Sequence, residues 1–385
     1  MKNNIHKGSA KLIKTINRDL VIQTIIKYGE ISRSELAKQT ELALPSIMRI
    51  VDPLVTRGLI IESRQAQSTG GRKPYMLKMN GQYMYIVGIE IAMISSVVLS
   101  DFNGKVIEAW SNDNLAYCSP EDLLDHILKI VKRWFVKYDI ALNHVAGIGI
   151  GTPGFSFKHK QQIKGTILKG WESIEVMAWF KERINLPIYT DNVCRTRTLS
   201  EIWFGLGRNY KDFLFVYIDQ GVGSAYVKNK LISKGHHLVA GEFGHTSIDY
   251  KGKPCYCGKN GCIEMYISAG SILNKINEIN PYDLSSLAEL NGQKNDDIKA
   301  CIEEVALYMT YGISNLINLY NPEVLILGGM VPRVLPELVE SVKNNIHPMI
   351  FNNNALETPI YISQVNNNLG SIALVIQEHI KAFDS

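Results

Sequence analysis

The chain has 385 residues, 46% hydrophobic and 20% charged, enough to bury the cores of two or three globular units. No run approaches the ~18 uncharged apolar residues of a membrane span, and the basic Met1–Lys14 stretch lacks the apolar segment of a signal peptide, so a cytoplasmic protein without membrane partners is expected. Six cysteines in this length make no disulfide scaffold, and the net charge of +4 hides an uneven split, with 14 Lys+Arg against 6 Asp+Glu in residues 1–80 and 27 against 31 beyond them.

A basic module on a mildly acidic body suits nucleic-acid binding, although composition alone is equally met by a solvated Lys-rich face. From Arg18 to Tyr28 the residues Leu20, Val21, Ile25 and Ile26 follow helical spacing, and Gly29 provides the stop. Ser32 caps a second short helix with Glu35 at the capping-box position. A turn through Glu41 and Leu42 leads to a third helix opened by Pro45, with Ile47, Ile50, Val51 and Leu54 on one apolar stripe. Ser46 and Arg49 lie on the opposite face, in reach of a major groove. Leu59–Glu62 and Tyr75–Met79 read as two strands of a wing. Gly70-Gly71-Arg72-Lys73-Pro74 between them is flexible and cationic, which suits Arg72 and Lys73 to phosphate or minor-groove contact. A small helical interaction domain is the alternative. Ala43 in place of a capping Ser or Thr, and Pro53 without an N–H to give, predict that the third helix kinks or ends early.

Past Asn80 the pattern becomes strand-rich: Tyr85–Ile91, Ser95–Ser100, a turn at Asn103-Gly104, then Val106–Trp110, a β-meander. A helix over Glu121–Tyr138 and a buried strand Val145–Ile150 ending in Gly-Thr-Pro-Gly make the body α/β with mixed strands. A second strand-rich segment, Phe213–Lys228, again runs through a Gly turn at Gly221 and Gly223, which suggests two similar halves around a cleft.

The most specific local signal is Gly241-Glu242-Phe243-Gly244-His245 followed by Cys255, Cys257 and Cys262. One imidazole and three thiolates form a closed tetrahedral set, the ligand complement of a structural zinc ion with no open position for a water, whereas free cysteines on a Gly-rich loop are the alternative. Glu242 and Glu264 bracket this knuckle, either as bland surface carboxylates or aimed by the metal-braced loop at the hydroxyls of a polar ligand.

These motifs resemble the ROK family of repressors, open reading frames and sugar kinases over nearly the whole chain. The signature from His245 to Glu264, the turn Gly149–Gly154, Trp171, and the stretch from Gly312 to Gly328-Gly329 carry the likeness. The resemblance implies a winged helix-turn-helix over residues 1–81 and a bilobal, actin-like body of the sugar-kinase and ribonuclease H-like ATPase class over 82–385. Its small lobe would take about 82–190 plus a C-terminal helix near 371–385, and its large lobe, with the zinc knuckle, about 191–370. It also implies a hexose held by Asn192, Glu242, His245 and Glu264.

Two departures argue against catalysis. Val193 stands where the resemblance places the Asp that deprotonates the sugar hydroxyl, and valine accepts no proton; Asp191 replaces it only if the loop is shifted. Glu90-Ile91-Ala92-Met93-Ile94 stands where a Gly-containing phosphate loop is expected, with Met93 and Ile94 filling the space, and Asp219 sets a negative charge near any triphosphate. The expected protein is therefore a repressor of carbohydrate genes with no catalytic residues, a structural Zn2+, operator DNA and a sugar or sugar phosphate effector as partners, and a homodimer or homotetramer matching two half-sites. Val193 and Arg195 remove a carboxylate and add a cation, which puts acidic or phosphorylated sugars among the candidates. An active kinase with an accessory head and a repressor controlled by a partner protein are the competing readings.

Overall fold

In the computed structural model, which describes residues 10–64, 75–113, 119–157, 160–164, 168, 170–171, 174–279, 284–290, 296–351, 357–366 and 368–384, the head begins with α1 (Ala10–Tyr28). This helix starts two turns earlier than the Arg18 boundary, buries Val21, Ile22 and Ile25, and stops where Gly29 takes a φ of 73°. After β1 (Ile31–Ser32), Ser32 Oγ accepts from Glu35 N at 3.2 Å to cap α2 (Arg33–Thr40). Glu41 then turns the chain in the left-handed region into α3 (Leu44–Thr56), which buries Ile47, Val51 and Leu54. Ala43 gives no side-chain cap, as expected. Pro53 does not end α3, contrary to expectation: buried Leu54 anchors the last turn, and Arg57 N closes on Pro53 O at 3.1 Å. The hairpin β2 (Ile60–Arg64) and β3 (Tyr75–Met79) is joined by β1 in a sheet of order β1-β3-β2, completing a winged helix-turn-helix.

The body opens with the expected antiparallel meander, β4 (Tyr85–Glu90), β5 (Ile94–Asp101) and β6 (Val106–Asp113). Across α4 (Pro120–Lys137), β7 (Val145–Thr152) adds parallel to β4. Past β8 (Phe155–Phe157), β9 (Lys160–Lys164) and α5 (Val176–Lys181), β10 (Ile188–Asn192) adds parallel to β7. Helix α6 (Val193–Trp203) crosses to a second meander, β11 (Phe213–Ile218), β12 (Val222–Lys228) and β13 (Leu231–Ile232). Then come α7 (Glu264–Ile267), α8 (Ala269–Ile279), α9 (Asp296–Tyr320), β14 (Val324–Gly328), α10 (Met330–Val334), α11 (Pro336–Asn345), β15 (Ile360–Ile362) and α12 (Leu369–Lys381). The two five-stranded sheets, β6-β5-β4-β7-β10 and β13-β12-β11-β14-β15, have the same order and the same strand senses. The body is thus one α/β unit used twice, a bilobal actin-like fold, and the fully buried run Phe213–Ile218 is what a strand covered on both faces requires.

Two helices tie cleft, lobes and head together. α6 starts in the cleft between the lobes and is buried along nearly its whole length, and α12 packs beside it while also covering β4 and β7. On α12, Ser371 Oγ donates to Ile89 O at 2.6 Å and accepts from Gly151 N at 3.2 Å. Beyond its last turn, Phe383 lies under the Arg57 guanidinium, 4.6 Å from the ring centre, at the end of α3. The head's apolar core and the core around these helices form one continuous cluster, from Val21 and Leu36 to Trp203 and Ile376. Among the described residues no helix is long and apolar enough to cross a membrane.

Candidate functional site: the interlobe cleft and metal centre

The cleft between the two sheets has a volume of about 470 Å³, and Asn192, Val193, Arg195, Glu242, His245 and Glu264 all line it. The sequence had placed these residues over more than seventy positions, and the fold brings them to one wall. Asn192 ends β10 and caps α6: its Oδ1 accepts from Cys194 N at 2.8 Å and its Nδ2 donates to Gly154 O at 2.6 Å, so the Gly-Thr-Pro-Gly turn and the helix fix its orientation. Glu242 is aimed by Gly241, which adopts φ 104° and leaves no room for a Cβ against Ser224 O. Burial pushes the Glu242 carboxyl up to about 7, with Arg195 opposing and Glu264 adding to the rise. Glu264 is 5% exposed, and its Oε2 accepts from Val222 N at 2.7 Å.

Asp191 is no substitute base. Its carboxylate takes Arg195 Nε at 2.6 Å and Lys234 Nζ at 2.6 Å, and it lines a different cavity on the far side of β10. Burial pushes this carboxyl up, but Arg195 and Lys234 together pull it further down, below the ordinary carboxylate range. Arg195 in turn gives Nη1 to Leu238 O at 3.1 Å. Its charge is matched within the fold, which removes the argument for an acidic or phosphorylated ligand in this cleft.

The cleft is also lined by an ion pair that sequence reading missed. Arg197 forms a bidentate ion pair with Glu90, each side chain 6% exposed, across 107 positions of sequence. The Tyr217 ring lies 3.9 Å from the guanidinium, while Arg197 Nη1 has no hydrogen-bond acceptor. Asp219 occupies the neighbouring turn, where its Oδ2 accepts from Tyr217 Oη at 2.8 Å and from Met330 N at 3.1 Å. Backbone N–H groups after a Gly-Gly turn are the kind of donor that a phosphate needs, and here a carboxylate already takes that of Met330, the residue after Gly328-Gly329. Met93 and Ile94 both line the cleft, Ile94 63% exposed at its rim, and the Glu90–Arg197 pair lines it as well. Only the pairing of two distant residues on β4 and α6 could have revealed this, and neither carries a local signal.

The four predicted metal ligands converge. One donor atom each from His245, Cys255, Cys257 and Cys262 lies within 4.8 Å of the others, with 3.6 Å between Cys255 Sγ and His245 Nδ1 and 3.6 Å between Cys257 Sγ and Cys262 Sγ. A tetrahedral zinc ion with Zn–S near 2.3 Å sets its ligands about 3.5–3.8 Å apart, so the spacing fits. Gly261 makes the knuckle possible: at φ 67° it packs against Asp249 O, where a Cβ would collide. With Nδ1 turned to the sulfurs, His245 presents Nε2 to Tyr256 Oη at 3.3 Å and to the cleft. One imidazole thus joins metal centre and cleft. Burial, reinforced by Glu264, keeps the Tyr256 phenol well above its ordinary range, so it stays a hydrogen-bond donor.

On the head, Arg49 is exposed and Ser46 half-buried on the outer face of α3, beside exposed Leu44 and Met48. Arg72 and Lys73 lie outside the described residues.

Comparison with known proteins agrees with this geometry. The ROK family model matches residues 96–378. A xylose repressor of Bacillus spizizenii is 28% identical over 379 residues, covering 96% of this chain and 97% of that protein. The DNA-binding transcriptional dual regulator NagC of Escherichia coli is 24% identical over 385 residues, covering 96% and 94%. Among solved structures, a ROK family transcriptional regulator homologous to the E. coli MLC protein superposes with a TM-score of 0.72 at 24% identity, over 97% of this chain and 98% of that one. A ROK glucokinase from Streptomyces griseus, solved with glucose and AMPPNP, gives a TM-score of 0.64 at 19% identity, over 76% of this chain and 97% of that one.

Proposed function

The chain belongs to the ROK family, and on that premise we propose that it is a cytoplasmic, sugar-responsive DNA-binding repressor whose kinase-like body binds an effector and transfers no phosphoryl group. The observation that carries this reading is the buried Glu90–Arg197 pair, which occupies the nucleotide end of a cleft whose other end keeps its hydroxyl-binding groups. Breaking such a pair to admit a triphosphate would strand a buried charge at a cost of about 3–5 kcal/mol. Val193 removes the base independently. The whole-length relatives, one named a xylose repressor and one a DNA-binding transcriptional dual regulator, support a regulatory assignment.

The effector class follows from the charges. Each arginine of the cleft already faces a carboxylate, while Glu242 and Glu264 offer acceptors. A neutral sugar supplies hydroxyl donors to such a wall; a phosphate dianion meets repulsion. Asn192, Glu242, His245 Nε2 and Glu264 are assigned to the sugar. His245 Nδ1, Cys255, Cys257 and Cys262 would hold a zinc ion that braces the loop, and a closed ligand set gives that ion a structural role.

Output is assigned to the head, residues 1–81, with Ser46, Arg49, Arg72 and Lys73 toward DNA, and input to the body, residues 82–385. Sugar that prefers one closure of the lobes shifts α6 and α12, and these displace the head, α12 through Phe383 and Arg57 at the end of α3 and α6 through its packing on α1. A homodimer or homotetramer would read paired half-sites. The test is a thermal-shift panel of pentoses, hexoses, amino sugars and their phosphates, run beside an ATP-turnover assay. A neutral sugar that raises the midpoint, with no turnover, is the expected result. Turnover abolished by Val193→Ala would refute the reading, and silence of every sugar would assign control to a partner protein.

A further inference from the structure

A second cavity, of about 700 Å³, lies between head and body and belongs to no motif of the sequence. Its walls come from α1 on the head side and from α6, the turn after α6, β13 and α12 on the body side. Six cations line it; Lys234 and Lys381 are paired with Asp191 and Glu378, whereas Lys27, Arg208, Lys211 and Lys230 form no direct ion pair among the described residues, with Glu201 and Glu323 acting on Arg208 and Lys230 only through space. The acids on the same wall are engaged elsewhere: Asp19 with Arg18 at 3.1 Å, Asp191 with Arg195 and Lys234, and Glu378 with Lys381 at 2.6 Å. Lys230 is held in place by giving Nζ to Gly207 O and Arg208 O, both at 2.8 Å.

We propose that this junction is a binding site for a phosphate monoester of a small metabolite, distinct from the sugar cleft, and that the bound anion pins the head to the body. Four cations without a direct carboxylate partner around one cavity repel one another, and a dianion is the ligand that relieves that repulsion. The electrostatics agree: burial lowers the Lys230 ammonium to about 8, only partly offset by Glu323, and Lys27, Arg208 and Lys211 each push it further down. The volume admits a sugar-sized ester with its phosphate. The site is also linked to the cleft, because Lys234 on this wall binds Asp191, the neighbour of Asn192.

Calorimetric titration of the full-length protein with inorganic phosphate and with glucose 6-phosphate tests the proposal. The ester should bind saturably with a Kd of about 1 mM or tighter, at least about tenfold more weakly in Lys27→Gln/Arg208→Gln, and unchanged in Glu242→Gln. Equal binding of inorganic phosphate would identify the phosphate alone as the recognised group; preference for the ester would add the sugar. Should the double variant fail to fold, Lys211→Gln gives the same readout at an exposed position. No binding up to about 10 mM, binding insensitive to the cation variants, loss of binding in Glu242→Gln, or displacement by a random-sequence duplex would each overturn the site. Neutral-sugar binding, measured alongside, should survive Lys27→Gln/Arg208→Gln and fail in Glu242→Gln, which separates this proposal from the function assigned to the cleft.

Discussion

Asp191 illustrates why single residues of this cleft need their neighbours to be read. Two positions before Val193, it looked like a displaced base; the fold turns it away from the cleft and sets Arg195 and Lys234 on it. Removing its charge leaves Arg195, 7% exposed, without its carboxylate, so Asp191→Asn should destabilise the protein by about 3 kcal/mol in urea unfolding. The pH dependence has a definite sign. A carboxyl held below its unfolded pKa contributes full stability above that value and loses it as pH falls through the folded one, so wild type should outlast Asp191→Asn at neutral pH and lose that advantage below about pH 4. On the head, Arg49 projects from α3 with no folding role, so Arg49→Ala should leave the thermal midpoint unchanged and weaken operator binding by about 1–3 kcal/mol in gel shift.

At the scale of elements, the metal knuckle was legible because His-Cys-Cys-Cys spacing is a local signal, as were the apolar stripe of α3 and the capping box of α2. Glu90 and Arg197 were not, since the packing of α6 against β4 that joins residues 107 apart is a product of the whole fold. Nor was α12 legible as a coupling element: its apolar residues are ordinary core, and its importance lies in where it begins and ends. That placement makes two predictions. Arg57→Ala removes the contact with Phe383, so sugar affinity and sugar-free DNA affinity should each change by less than about twofold, while the effect of sugar on DNA binding shrinks; this is measured by DNA titration with and without sugar. Stripping metal with a chelator should lower the thermal midpoint and weaken sugar binding about tenfold, since His245, Glu242 and Glu264 lose their brace. DNA binding should persist, because the head core has no metal ligand. Loss of both activities together would mean that the metal supports the whole molecule.

The whole molecule reads as a basic head on a mildly acidic body, joined by a shared core and two parallel routes, α6 and α12, from cleft to head. The duplicated sheet order explains the cleft, and the proposed role of that cleft in control rests on Val193 and the Glu90–Arg197 pair. The most direct test is a titration of the protein–operator complex, on a duplex selected by the protein itself, with the neutral sugar that stabilises it most. The account predicts that saturating sugar weakens DNA binding at least about tenfold in wild type and not in Glu242→Gln. Sugar that binds tightly yet leaves DNA affinity unchanged in wild type, or that is phosphorylated when ATP is supplied, would contradict it.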